Sequence, residues 1–227
     1  AQGWRVNLWP TEAPGHATTL AQRAADEGEH LVLAAGGDGT MGQVANGLAH
    51  SKTIMAPLPI GTSNALARDL KLPRPQLLDS NAPIEASEAL LAGRVQRVDL
   101  NLVRSRTASG YALLWTGIGA DGFLVQQIEP RPTWSKRLGP IGYGLMARYL
   151  TEMQLNLHES DPGMMNLAGK RVVIETRPSM PCQTDGEWAG YTPLTCELVP
   201  GALRLLVPLS APRSLFSKPG TSLADLL

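Results

Sequence analysis

Cysteine is scarce in this chain of 227 residues: only Cys182 and Cys196 are present, so no disulfide framework can substitute for a core. Both lie on strand-like stretches, and two buried reduced thiols are expected rather than a bridge. An excess of charge of either sign is also lacking. Lys plus Arg and Asp plus Glu number 20 each, giving zero net charge, so neither a nucleic-acid footprint nor bulk attraction to an anionic membrane is expected. No apolar run reaches the roughly 18 residues needed to span a bilayer, and no secretory leader is legible. The expected location is therefore the cytoplasm, at most peripheral to the inner membrane face. His16, His30, His50 and His158 lack metal-ligand spacing. The absence of G-x-x-x-x-G-K-[ST] excludes a P-loop kinase, and the absence of G-x-S-x-G argues against a serine hydrolase.

With 43% apolar residues, the chain can build one large domain or two small ones. Its most informative run is Gly36-Gly37-Asp38-Gly39-Thr40, which follows apolar Leu31 to Ala35 and precedes Met41, Val44, Ala45 and Leu48 at helical spacing. Three glycines and a carboxylate on a strand-to-helix turn occupy the place where an open α/β sheet holds phosphates. An aspartate there repels phosphate directly. It makes sense beside a metal ion, or as the acceptor of a proton from a nucleophile. A second such loop, Gly61-Thr62-Ser63-Asn64, follows the strand-like run Ile54 to Ile60, whose two prolines suggest an edge or irregular strand.

Strands are expected at Val6–Trp9, 31–35 and 54–60, and helices at 17–26, 41–49, 64–70 and about 84–92, an alternation that implies a doubly wound parallel sheet. Beyond Gly93 the period becomes two. Strands are expected at 97–102, 111–116, 171–176, 195–199 and 203–207, with one amphipathic helix near 138–153. The expected organisation is an α/β nucleotide-binding domain over 1–93 and an antiparallel β-sandwich domain over 94–227.

The runs GGDGTMGQVANGL (Gly36–Leu48) and PLPIGTSNALARDLKLP (Pro57–Pro73) resemble the catalytic domain shared by diacylglycerol kinases, sphingosine kinases and their bacterial relatives. Gly117-Ile118-Gly119-Ala120-Asp121, Lys136 to Pro140, Asp185-Gly186-Glu187 and Pro200 to Arg204 continue the likeness in family order. Members of that family usually carry a further strand and an asparagine-containing phosphate loop ahead of the region at Val6, and more strands before Arg171. The resemblance implies ATP as phosphoryl donor, Mg²⁺ as its partner ion and a lipid primary hydroxyl as acceptor. A NAD kinase, which shares the GGDGT loop, and an inactive nucleotide- or lipid-binding relative are the rival readings. Short exposed strands could also pair two copies into a homodimer.

By that resemblance, Gly36, Gly37, Gly39, Thr40, Gly61, Thr62 and Asn64 hold the nucleotide, and Lys136 and Arg137 reach its phosphates. Asp38, Asp185 and Glu187 are the candidate catalytic carboxylates, with Asp185 and Glu187 as candidate metal ligands; which of them is the base stays open. Asp121 would lie near the lipid head group. Read from the residues alone, Asp185-Gly186-Glu187 is a hairpin turn. The match of Gly117 to Gly122 to G-x-G-x-x-G is accidental, since no second strand ending in an acidic residue follows.

Overall fold

The computed structural model describes residues 4–61, 64–74, 81–119, 121–123, 125 and 167–226. Two strand–helix units come first: β1 (Leu31–Gly36) with α2 (Asp38–Leu48), and β2 (Ile54–Pro59) with α3 (Ala65–Asp69). They are preceded by α1 (His16–Asp26) and followed by α4 (Ala82–Leu91). The remainder is strand: β3 (Arg94–Arg104), β4 (Ser109–Ala112), β5 (Thr116–Ile118), β6 (Arg171–Ile174), β7 (Pro181–Thr184), β8 (Glu187–Tyr191), β9 (Leu194–Val207) and β10 (Thr221–Ser222).

The expected fold class is borne out, as a mixed sheet with parallel strands plus a C-terminal antiparallel layer. β1 and β2 run parallel, from Leu31 beside Ile54 to Gly36 beside Pro59, and β9 joins β2 in parallel through Ile54 and Met55. β9 then pairs antiparallel with β3 along most of its length, and β4, β6 and β10 complete this sheet. β5, β7 and β8 form a separate three-stranded sheet. Val103, Ala112 and Leu194 of the large sheet form one buried cluster with Cys182 and Ala189 of the small one. Cys182 and Cys196 are free thiols. The larger core lies under α1 to α4, where Leu48, Leu203 and Leu206 are buried. Truncating any of these leucines to alanine would cost about 2–5 kcal/mol.

Several local expectations are corrected. Val6–Trp9 forms no strand; Val6 and Leu8 are exposed there, and a strand-prone sequence without a ladder partner gains nothing by extending. β2 is not an edge strand, since it lies between β1 and β9. Its prolines are tolerated because β9 pairs only with Ile54 and Met55, ahead of Pro57 and Pro59. The strand expected at 111–116 is broken at Leu113–Trp115. The two strands expected at 195–199 and 203–207 are one, because Pro200 and Gly201 form a bulge opposite Asp99, whose Oδ1 accepts from the Gly201 N–H at 2.8 Å. The helix expected at 138–153 lies outside the described residues.

Candidate active site

α2 starts three residues earlier than its apolar period suggests, so Asp38, Gly39 and Thr40 form its first turn. Gly37 is the N-cap and offers no side-chain acceptor, and the Met41 N–H is bonded to the Gly37 carbonyl at 3.0 Å. The N–H groups of Asp38, Gly39 and Thr40 precede that bond and have no partner within the helix. They end an 11-residue helix at its positive pole.

The second glycine loop closes against the first. Asn64, buried and left-handed at φ 49°, accepts from the Gly61 N–H at 3.1 Å and donates to the Gly61 carbonyl at 2.5 Å. A Cβ on Gly61 would fall 2.4 Å from the Gly37 Cα, so only glycine permits this approach. Asp38 fastens the two loops, because its carboxylate accepts from the backbone N–H of Ala65 at 3.0 Å and of Leu66 at 3.2 Å. Gly36, Gly37, Asp38, Gly61 and Asn64 therefore meet at one place, at the C-terminal ends of β1 and β2. Thr62 lies outside the described residues, as do Lys136 and Arg137.

Asp185-Gly186-Glu187 is both the hairpin its residues suggest and part of the same neighbourhood. Asp185 at φ 52° and Gly186 at φ 85° form a two-residue turn, and Thr184 pairs with Glu187. The Asp185 side chain is 3% exposed. Its Oδ2 accepts from the Leu113 N–H at 2.7 Å, and its Oδ1 accepts from Leu114 at 2.9 Å and Trp115 at 3.0 Å. These bonds hold open the break between β4 and β5. Burial pushes the Asp185 carboxyl above the usual carboxylate range, the three backbone donors pull it down, and the nearby Asp38 charge adds to the rise. A Cβ on Gly42 would sit 2.7 Å from Asp185 Oδ2, so α2 also makes room for this side chain.

Glu187 lies beside α2. Its Oε1 accepts from Gln43 Nε2 and stands 3.8 Å from where a Cβ on Gly39 would be. A cleft of about 380 Å³ opens here, lined by Gly39, Gly42 and Gln43 on one wall and Asp185, Glu187 and Trp188 on the other. Asp121 accepts from Gln183 Nε2. Among the described residues, no three His, Cys, Asp or Glu side chains gather into a ready-made metal cluster.

Two participants were not read from the sequence. Gln43 lies one helical turn beyond Gly39, a position from which a polar side chain could have been expected to face the same cleft. Gln183 gave no signal, since strict alternation would expose it opposite Cys182, whereas the β7–β8 ladder shifts register between the two and both are buried.

Residues 1–103 match the model of the diacylglycerol kinase catalytic domain, and residues 140–207 match that of the YegS C-terminal NAD kinase beta sandwich-like domain. A diacylglycerol kinase of Staphylococcus saprophyticus is 31% identical over 144 residues, covering 62% of this chain and 43% of the relative. A diacylglycerol kinase of Staphylococcus aureus strain Newman is 30% identical, with 62% and 41% covered. The chain thus spans less than half the length of these curated relatives. The crystal structure of a diacylglycerol kinase from Bacillus anthracis str. Sterne matches with a TM-score of 0.59 at 19% identity, covering 89% of this chain and 85% of that one. Another Bacillus anthracis crystal structure gives 0.63 at 19% identity, with 89% and 86% covered. At that identity the likeness is one of fold.

Proposed function

We propose that this chain, which matches the diacylglycerol kinase catalytic-domain family over residues 1–103, is a member of it and transfers the γ-phosphoryl group of ATP to a primary hydroxyl of a lipid. The observation that carries this reading is the placement of Glu187 beside the first turn of α2. A proton acceptor then stands beside the unbonded N–H groups of a helix start, and phosphoryl transfer asks the protein for little more than alignment, charge neutralisation and a base.

In this reading the nucleotide phosphates lie against the N–H groups of Gly39 and Thr40, with Gly61 and Thr62 as the facing wall. Gly36, Gly37 and Asn64 shape the wall rather than touch the ligand, since Asn64 spends its amide on Gly61. Lys136 and Arg137 supply cations to the phosphates. Glu187 takes the proton of the acceptor hydroxyl, and Gln43 orients it. Residues 1–93 form the nucleotide side and 94–227 the acceptor side. Exposed Trp115, Phe123, Trp188 and Tyr191 suit a lipid acceptor met at a membrane surface.

The carboxylates fit Mg²⁺ unequally. Magnesium bound with a nucleotide needs one or two protein carboxylates, the rest of its shell being phosphate and water. Each oxygen of Asp38 accepts one backbone hydrogen bond and keeps a lone pair, as does Oδ2 of Asp185, whereas Oδ1 of Asp185 already accepts two. Asp38, with a lone pair left on both oxygens, would therefore be the first ligand of the ion, and Asp185 serves chiefly as a clamp on Leu113 to Trp115. Bound there, Mg²⁺ supplies neutralisation of phosphate charge.

The test is ATP consumption with Mg²⁺ against diacylglycerol, a sphingoid base, phosphatidylglycerol and NAD, with wild type and Glu187→Gln. Lipid-dependent turnover that Glu187→Gln abolishes is the expected result. Turnover with NAD alone, or with no acceptor at all, overturns it.

A further inference from the structure

Gln183 is the polar side chain with the smallest exposure among the described residues, at 1%. Burying an amide is tolerable only if both of its ends are bonded. Here they are. Nε2 donates to Asp121 Oδ2 at 2.5 Å, and Oε1 accepts from the Gly186 N–H at 2.8 Å. An ionised carboxylate can only accept and a backbone N–H can only donate, so these partners permit a single orientation of the amide. The side chain therefore joins Asp121 to the turn that carries Asp185 and Glu187.

The surrounding backbone is built around this link. A Cβ on Gly117 would lie 1.6 Å from Asp121 Oδ2 and 2.7 Å from Gln183 Nε2. A Cβ on Gly122 would lie 2.2 Å from the Pro181 carbonyl oxygen. These glycines let the Asp121 segment lie flat on β5 and β7, so the dinucleotide-like spacing of 117–122 serves close packing rather than a cofactor. The turn is then held from two sides. Asp185 binds the chain at Leu113–Trp115 through its carboxylate, and Gly186 binds Gln183 through its N–H.

We propose that Gln183 is a positioning residue that makes Asp121 and the Asp185–Glu187 turn one rigid unit, and so fixes an acceptor held at Asp121 relative to Glu187. The acceptor half of this statement rests on the lipid-kinase reading; the link itself rests on geometry. Nothing else in the described residues bonds Asp121 and this turn to a common side chain.

Two measurements test it. The first needs no turnover. In ¹H–¹⁵N spectra, Asp121→Asn should move the Gly186 amide resonance in the wild-type background and leave it unmoved in Gln183→Leu. The second is steady-state kinetics. Gln183→Leu should raise the acceptor KM roughly tenfold, the size expected for one charge-assisted hydrogen bond, with the ATP KM unchanged. Gln183→Glu faces Asp121 with a second carboxylate, and such a pair shares a proton. Its acceptor KM should therefore approach that of wild type as the pH falls, while that of Gln183→Leu does not, a difference that simple loss of packing cannot produce. A Gly186 amide that ignores Asp121→Asn in the wild-type background overturns the link. Equal rises in both KM values, or no pH recovery in Gln183→Glu, overturn the positioning role. A wild type without lipid turnover defeats the lipid-kinase reading alone, because the amide shift still decides the link.

Discussion

Gly37 and Gly61 meet backbone to backbone: a side chain added at Gly61 would begin 2.4 Å from the Cα of Gly37. This contact brings the two glycine loops together at the ends of β1 and β2.

Gly61→Ala should therefore push the loops apart. Overpacking of this kind costs about 1–3 kcal/mol. A fall of several degrees in Tm is expected, along with a loss of ATP affinity by isothermal titration that exceeds the loss in a surface Gly→Ala control. An unchanged ATP affinity would mean that the nucleotide does not sit between these loops.

Asp38 bonds the N–H groups of Ala65 and Leu66, which makes it a cap for α3 as well as the first residue of α2. Asp38→Ala should cost about 1 kcal/mol. Hydrogen exchange should accelerate at the Ala65 and Leu66 amides more than elsewhere. Asp38→Asn, which keeps an oxygen acceptor, should restore part of the protection.

Asp185 imposes a pH dependence on stability. Its folded-state pKa stands above the ordinary carboxylate value, chiefly through burial. Its contribution is thus fully present below the unfolded pKa of about 4 and is lost as pH rises through the folded value. Asp185→Asn removes that slope, and the difference between the two Tm–pH curves should change above about pH 4. At neutral pH the variant should still be less stable by about 1–3 kcal/mol, since an amide NH₂ cannot accept from Leu113, Leu114 and Trp115 as a carboxylate does.

Glu187→Gln preserves a side chain that can accept from Gln43 while removing the base. A loss of about 10²–10⁴ in kcat is expected, with Tm and ATP affinity close to wild type. A variant that keeps most of its activity would move the base elsewhere in the cleft.

The features legible in the residues are those whose physics is local. A glycine turn between an apolar strand and a helical period places Gly36 to Thr40 and Gly61 to Asn64, because strand, turn and helix start lie within a dozen residues of one another. Asp185-Gly186 announces a tight hairpin for the same reason: its positive φ angles depend on those two residues alone. The environment of each carboxylate, in contrast, is set by packing between distant segments. Asp185 is engaged by backbone groups about 70 residues earlier, and Glu187 by Gln43 across 144 residues. Hydrogen-bond capacity consumed by such distant partners leaves no trace in composition or period. The same holds for Gln183, which strict alternation would turn away from buried Cys182 but which lies buried beside it where the β7–β8 ladder shifts register, and for Val6–Trp9, where strand propensity without a partner strand produces no strand.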